Sequence, residues 1–190
     1  GEEIAIKADL FARDIGLFSQ MACSSPKSLI LIKDQNLSYK KELLDFFKKC
    51  DLSLSTKNWL SENQSLENFK SSIDICMELP NFRCIFKGIN LSVFFADKCK
   101  FTEINNFKTK DSCIFLSEVD SIEEALTLLP ENNQTIVCIG LKKEIKIKVV
   151  QKGMIGGSNR FVSPGNALNM NIYWDGYDIV SFLSKIISFN

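Results

Sequence analysis

The chain has 190 residues, 45% apolar and 24% charged, with no net charge, an ordinary balance for a folded protein with one substantial core. Zero net charge removes the electrostatic case for nucleic acid or an anionic membrane surface, and no apolar run approaches the length of a membrane span. Histidine and CxxC pairs are both absent, which excludes Ser-His-Asp and Cys-His hydrolase sites within the chain and the usual zinc sites.

In chain order, Leu10, Phe11, Ile15 and Phe18 recur at helical spacing and predict a helix over 8–20 with one buried face. Pro26 stops that helix, and SLILI at 28–32 reads as a buried strand. Cys23 therefore falls at a helix-to-strand junction, where two elements fix its position and a substrate can reach it. That is suitable geometry for a covalent catalyst. Residues 37–50 predict a second helix, with Tyr39, Leu43, Phe46, Phe47 and Cys50 on one face and Lys48 and Lys49 closing it. A third helix is expected over 55–79, striped by Leu66, Phe69, Ile73, Cys76 and Met77 and ended by Pro80.

FRCIF and LSVFFAD read as strands around a Lys87-Gly88 turn, and residues 98–112 are polar and irregular. SCIFLSEV follows as a strand, and Ser121 with Glu124 forms a capping box for the helix DSIEEALTLL. TIVCIGL is a buried strand, KKEIKIKVVQK fits a helix or an edge strand, and RFVSP is a short strand. Asp175 is placed to cap a last helix with Ile179, Phe182, Leu183 and Ile186 on its apolar face. Strands alternating with helices predict an α/β fold, a mostly parallel sheet covered by helices on both faces.

Seven cysteines, at 23, 50, 76, 84, 99, 113 and 138, are an odd number at irregular spacing, most of them inside apolar runs. There they act as small hydrophobes, and the pattern, with no signal peptide, fits a reducing cytoplasm. A catalytic Cys23 needs help to ionise, because a free thiol has a pKa of about 8.5. With no histidine, helix dipoles, backbone N–H groups or the bound substrate and cofactor must supply that help.

Gln20-Met21-Ala22-Cys23, followed by small residues, an apolar strand and an amphipathic helix, resembles the nucleophile segment of the aldehyde dehydrogenase superfamily. The longer string ARDIGLFSQMACSSP resembles the LuxC-like fatty acyl-CoA reductases of bacterial bioluminescence. NNQTIVCIGL at 132–141 and NRFVSPGNALNMNIYWDGYD at 159–178 resemble the same branch, while residues 50–110 carry little likeness.

The resemblance implies a single catalytic domain over 1–190, with an N-terminal cofactor-binding domain missing from the chain. It implies that Cys23 attacks a fatty acyl-CoA, or another activated acyl donor, to give an acyl-cysteine thioester. NADPH, bound mainly by the absent domain, then reduces that thioester to a fatty aldehyde. The Cys23 N–H would help bind the tetrahedral oxyanion. The resemblance also implies a homo-oligomer for the full-length protein, because aldehyde dehydrogenase relatives usually assemble as dimers or tetramers.

Other candidates have structural readings beside the chemical ones. Gln20 belongs to the motif but can simply brace the turn, and Ser24 and Ser25 can satisfy local backbone groups. Arg160 can line the site mouth, or pair with Asp175 or Asp178. Glu103 is the nearest candidate for the carboxylate that holds the nicotinamide ribose, although KFTEINNF departs from that superfamily's Glu-x-Phe-Gly-Pro pattern. Lys142, Lys143, Lys146 and Lys148 can attract CoA phosphates or form a solvated face. MIGGSN at 154–159 lacks Rossmann spacing. Two further functions fit the residues: a cysteine acyltransferase, and a non-catalytic binding module in which Cys23 is buried.

Overall fold

The computed structural model describes residues 2–33, 39–57, 59–60, 63–96, 111–129, 133–174 and 176–185. Helix α1 (Glu2–Gly16) buries Ala8, Phe11, Ala12 and Ile15, the face that its apolar spacing predicts. It ends earlier than that spacing suggests. Phe18, Ser19 and Gln20 all have positive φ, 56°, 50° and 62°, within a short 3-10 turn at Leu17–Gln20. This left-handed excursion turns Phe18 out of the core, and it is exposed.

Strand β1 (Ser28–Ile32) follows, then α2 (Tyr39–Thr56), α3 (Gln64–Glu78), β2 (Arg83–Lys87), β3 (Ser92–Phe95) and β4 (Cys113–Val119). Helix α2 runs past Lys48 and Lys49, because Leu54, a turn further on, still faces the core. The four strands form one sheet in the order β1-β4-β3-β2. Strands β1 and β3 lie parallel to β4, and β2 runs antiparallel at the edge with a register shift between Cys84 and Phe86.

Next come α4 (Ile122–Thr127), β5 (Thr135–Val137), α5 (Lys143–Ile155) and β6 (Arg160–Val162). Ser121 caps α4 by accepting the Glu124 N–H, as the capping box predicts. KKEIKIKVVQK is helical, which resolves its ambiguity. Strands β5 and β6 pair in parallel, and β7 (Tyr173–Trp174) and β8 (Tyr177–Asp178) form a small hairpin before α6 (Ile179–Leu183). The cap of α6 is Asp178, whose carboxylate accepts the N–H groups of Val180 and Ser181. Asp175 and Ile186 lie outside the described residues, and Phe182 and Leu183 are exposed rather than packed.

Each face of the main sheet has its own core. Helices α1 and α2 pack Phe11, Ile15, Phe47 and Leu54 against Val93, Ile114 and Leu116. On the other face, Ile75 of α3 and Ala125 of α4 pack with Phe94, Phe115 and Val119. The architecture is α/β with a mostly parallel sheet between helices, as the alternation of elements predicts.

Helix α3 departs from its predicted stripe. Leu66, Phe69, Ile73, Cys76 and Met77 are exposed, while Gln64, Asn68, Ser71, Ser72 and Ile75 are buried. The physical reason is polar. Ser71 Oγ donates to Asp111 Oδ2 at 2.8 Å and Gln64 Nε2 to Asp111 Oδ1 at 3.1 Å. Asn68 Oδ1 accepts from Ser92 Oγ at 2.7 Å and Lys87 Nζ at 2.6 Å. Groups at the strand ends need partners, and the polar side of α3 supplies them.

Candidate functional site around Cys23

Cys23 lies in the irregular segment between the 3-10 turn and β1, at the amino end of the strand. Ser25 N–H donates to Ala22 O at 3.1 Å, which closes a turn with Cys23 and Ser24 at its centre. The thiol is exposed, and Cys23 lines a cavity of about 610 Å³ together with the residues of β1. Among the described residues, neither the Cys23 nor the Ser24 N–H donates a hydrogen bond. Two adjacent free N–H groups beside a thiol are suited to an anionic oxygen.

The turn is held from below. Gln20 is fully buried, and its Nε2 donates to Pro26 O at 2.6 Å and Cys113 O at 2.9 Å. One side chain thus ties both ends of the Cys23 segment to the start of β4, the bracing role open to it from sequence. Ser19 adds two ties: its Oγ donates to Gln64 Oε1 at 2.8 Å, and its carbonyl accepts the Asp111 N–H at 3.3 Å. The left-handed backbone at 18–20 is therefore fixed by the polar network under α3. That network was missed at the sequence level because its members are scattered polar residues in no motif.

Cys23 follows the carboxyl ends of α1 and the 3-10 turn, so neither element presents an N-terminus to it. Among the other cysteines, burial raises the Cys50 thiol far above its ordinary range and pushes Cys113 up to about 12. Desolvation also raises Cys84 and Cys138. Cys99 lies outside the described residues, and Cys76 is exposed on α3. Ser24 and Ser25 are buried, but Ser25 Oγ has no hydrogen-bond partner among the described residues.

Arg160 does not line the cavity. Its guanidinium stacks 3.9 Å from the Trp174 ring centre and donates to Ala167 O at 2.9 Å and Asn169 O at 3.1 Å. Asp14 of α1 meets the same loop from the other side, accepting Gly165 N–H at 2.7 Å and Ala167 N–H at 3.2 Å. Arg160 and Asp14 together clamp residues 163–169, a structural role. Gly165, at φ +83°, belongs to that clamp, because a Cβ there would run into Leu10.

Glu103 lies outside the described residues. Lys142, Lys143, Lys146 and Lys148 are all exposed at the start of α5. Gly156 and Gly157 close α5 instead of opening a helix after a strand. No group of metal-ligating side chains occurs among the described residues, and no helix there is long and apolar enough to cross a membrane.

The chain matches no protein-family model and no curated protein sequence.

Proposed function

We propose that the chain is the catalytic domain of an acyl-CoA reductase of the LuxC-like kind, with Cys23 as its nucleophile. The observation that carries this reading is an exposed thiol in a braced turn, beside two N–H groups that have no partner among the described residues. In the acylation step, the Cys23 thiolate attacks the thioester carbonyl of a fatty acyl-CoA and forms a new C–S bond. The carbonyl electron pair moves to oxygen, where the Cys23 and Ser24 N–H groups receive it. Collapse of that oxyanion expels CoA as its thiolate and leaves the acyl-cysteine. Gln20 positions the turn throughout and touches no reacting atom.

The described residues do not fit NADPH. The Gly156-Gly157 pair ends a helix, and no glycine-rich strand-to-helix turn is present among them to cradle a pyrophosphate. Reduction to a fatty aldehyde belongs to the proposal as chemistry whose reductant a further domain would hold. A cytoplasmic setting and a homo-oligomeric full-length protein belong to it in the same way. A cysteine acyltransferase shares the first step and differs in what receives the acyl group. The binding module expects a buried Cys23, and the exposed thiol favours the catalytic readings over it.

The test is the intact mass of the protein after incubation with a long-chain acyl-CoA, wild type beside Cys23→Ala. A hydroxylamine-sensitive acyl adduct on the wild type alone is the expected result. Equal labelling of both proteins, or labelling of neither, would overturn Cys23 as the nucleophile of this chain.

A further inference from the structure

Away from the Cys23 turn, nucleophilic side chains gather at the β2 edge of the main sheet, under α3. The register shift between Cys84 and Phe86 sets two residues of β2 against one of β3. Three residues apart, Cys84 and Lys87 would otherwise face opposite sides of the sheet, because strand side chains alternate. With the shift, Cys84 pairs with Phe94 and Lys87 with Ser92. Phe94 packs with Ile75 of α3, and Ser92 Oγ donates to Asn68 Oδ1 of α3 at 2.7 Å. Cys84 and Lys87 therefore both stand on the face that α3 covers.

Two contacts fix how α3 runs over that edge. Lys87 Nζ donates to Asn68 Oδ1 at 2.6 Å and lies 5.7 Å from the centre of the Phe69 ring. Phe69 thus marks the flank of α3 that meets β2. Cys76 is about two turns further along, on the same flank. Strand β2 runs the opposite way beneath it: Asn68 and Phe69 meet Lys87, while Ile75 packs in the cluster of Phe94, the strand partner of Cys84. That brings Cys76 beside Cys84, and both thiols are free and exposed. Burial raises the Cys84 pKa, and the neighbouring Cys76 thiol pushes it further up. Cys113 lies beneath them, but burial pushes its thiol up to about 12 and leaves it inert.

We infer that Cys76 and Cys84 form a reversible oxidation site, in which a peroxide joins them by a disulfide that ties α3 to β2. The peroxide O–O bond breaks as one oxygen adds to the Cys76 thiolate, giving a sulfenic acid and the first water. Cys84 then attacks that sulfur; the S–S bond forms, and the S–O bond breaks to release the second water. Two thiols are oxidised, one peroxide is reduced, and the thiol protons leave in the two waters. Cys84, whose ionisation burial suppresses, is the slower to meet peroxide and serves as the resolving thiol. A disulfide needs Cα atoms roughly 4.4–6.8 Å apart, so the bond holds the end of α3 down on the sheet edge. Gln64, Asn68 and Ser71 of the same helix hold Asp111, and Gln64 also holds Ser19 at the Cys23 turn. Oxidation therefore fixes the helix that braces the turn.

The test treats the reduced, dilute chain with hydrogen peroxide, blocks the remaining thiols with iodoacetamide and maps tryptic peptides without reduction. Trypsin cuts between the two cysteines at Arg83, so the disulfide links the peptide 71–83 to CIFK at 84–87. That linked pair, found on a monomer and reversed by dithiothreitol, is the expected result. In Cys84→Ser, which lacks the resolving thiol, Cys76 should run on to sulfinic acid instead. Recovery of Cys76 and Cys84 as separately alkylated or separately over-oxidised peptides would overturn the site. So would a disulfide between two chains, or one from either cysteine to Cys23. The same link is expected in Cys23→Ala, which keeps the two proposals apart: acylation can fail while Cys76 and Cys84 join, and the reverse.

Discussion

Helices α1 and α2 hold their face of the four-stranded sheet with aromatic and aliphatic packing, while α3 holds the opposite face partly through a buried polar network. On the first face Phe47 is fully buried and sits between Phe46 and Phe86, with ring centres 5.9 and 5.8 Å away. On the second, Gln64, Asn68 and Ser71 of α3 reach Asp111 and Ser92 at the strand ends. Apolar contacts are strong but tolerant of direction, whereas a hydrogen bond fixes both distance and angle. The Cys23 segment is tied to the second face, through Ser19 and Gln20. Stability and positioning are thus divided between the two sides of one sheet.

The largest effect should come from the apolar side. Phe47→Ala should cost about 3–5 kcal/mol, the range for an aromatic removed from a closed core. Denaturant unfolding measures it. In the protein that remains folded, the alkylation rate of Cys23 should match wild type. A changed rate would mean that the apolar face also sets the thiol's position.

Gln20→Ala should cost less, about 1–3 kcal/mol, because two carbonyls lose their donor. Its distinctive readout is local. The alkylation rate of Cys23 should change several-fold while those of Cys76 and Cys84 stay constant, as mass spectrometry of each cysteine would show. A loss of stability with no change at Cys23 would make Gln20 a strut and nothing more.

How much of this was legible in the sequence follows the same division. Apolar periodicity found α1 and α2, because on that face burial and hydrophobicity coincide, but α1 runs Glu2–Gly16 rather than 8–20 and β1 is half-buried rather than buried. It misled at α3, where Asn68 and Ser71 are inside and Met77 is outside. Periodicity assumes that the core is apolar, and the buried Asp111 and Ser92 break that assumption. Cys23 stood out at a helix-to-strand junction, and Gln20 as part of its motif. The left-handed backbone at Phe18 and Ser19 carried no signal, since neither residue is glycine or asparagine.

Asp14 sharpens the comparison, since it is a carboxylate buried on the apolar side. Desolvation raises its pKa above the usual range, against the pull of the Gly165 and Ala167 N–H groups and of Arg13 and Arg160. The folded protein therefore holds the Asp14 proton more tightly than the unfolded chain does. The stability this contributes is complete below the ordinary carboxylate pKa and is lost as pH rises through the raised folded value. Measured against Asp14→Asn, wild-type stability should fall as pH is raised from about 4 toward neutrality. A flat or rising difference would mean that the backbone donors outweigh burial.

The smallest effect tests the inversion of α3 directly. Met77 belongs to that helix's apolar stripe, and as a core methionine its truncation would cost about 2–5 kcal/mol. It is 77% exposed, so Met77→Ser should change stability by no more than about 0.5 kcal/mol. A loss of several kcal/mol at a protein concentration low enough to exclude association would mean that α3 turns its apolar stripe inward in solution. The Asp111 network would then be broken, and with it the Gln64 bond that holds Ser19. The alkylation rate of Cys23 in the same variant would report that change, so one exposed methionine tests both the orientation of α3 and the bracing of the thiol.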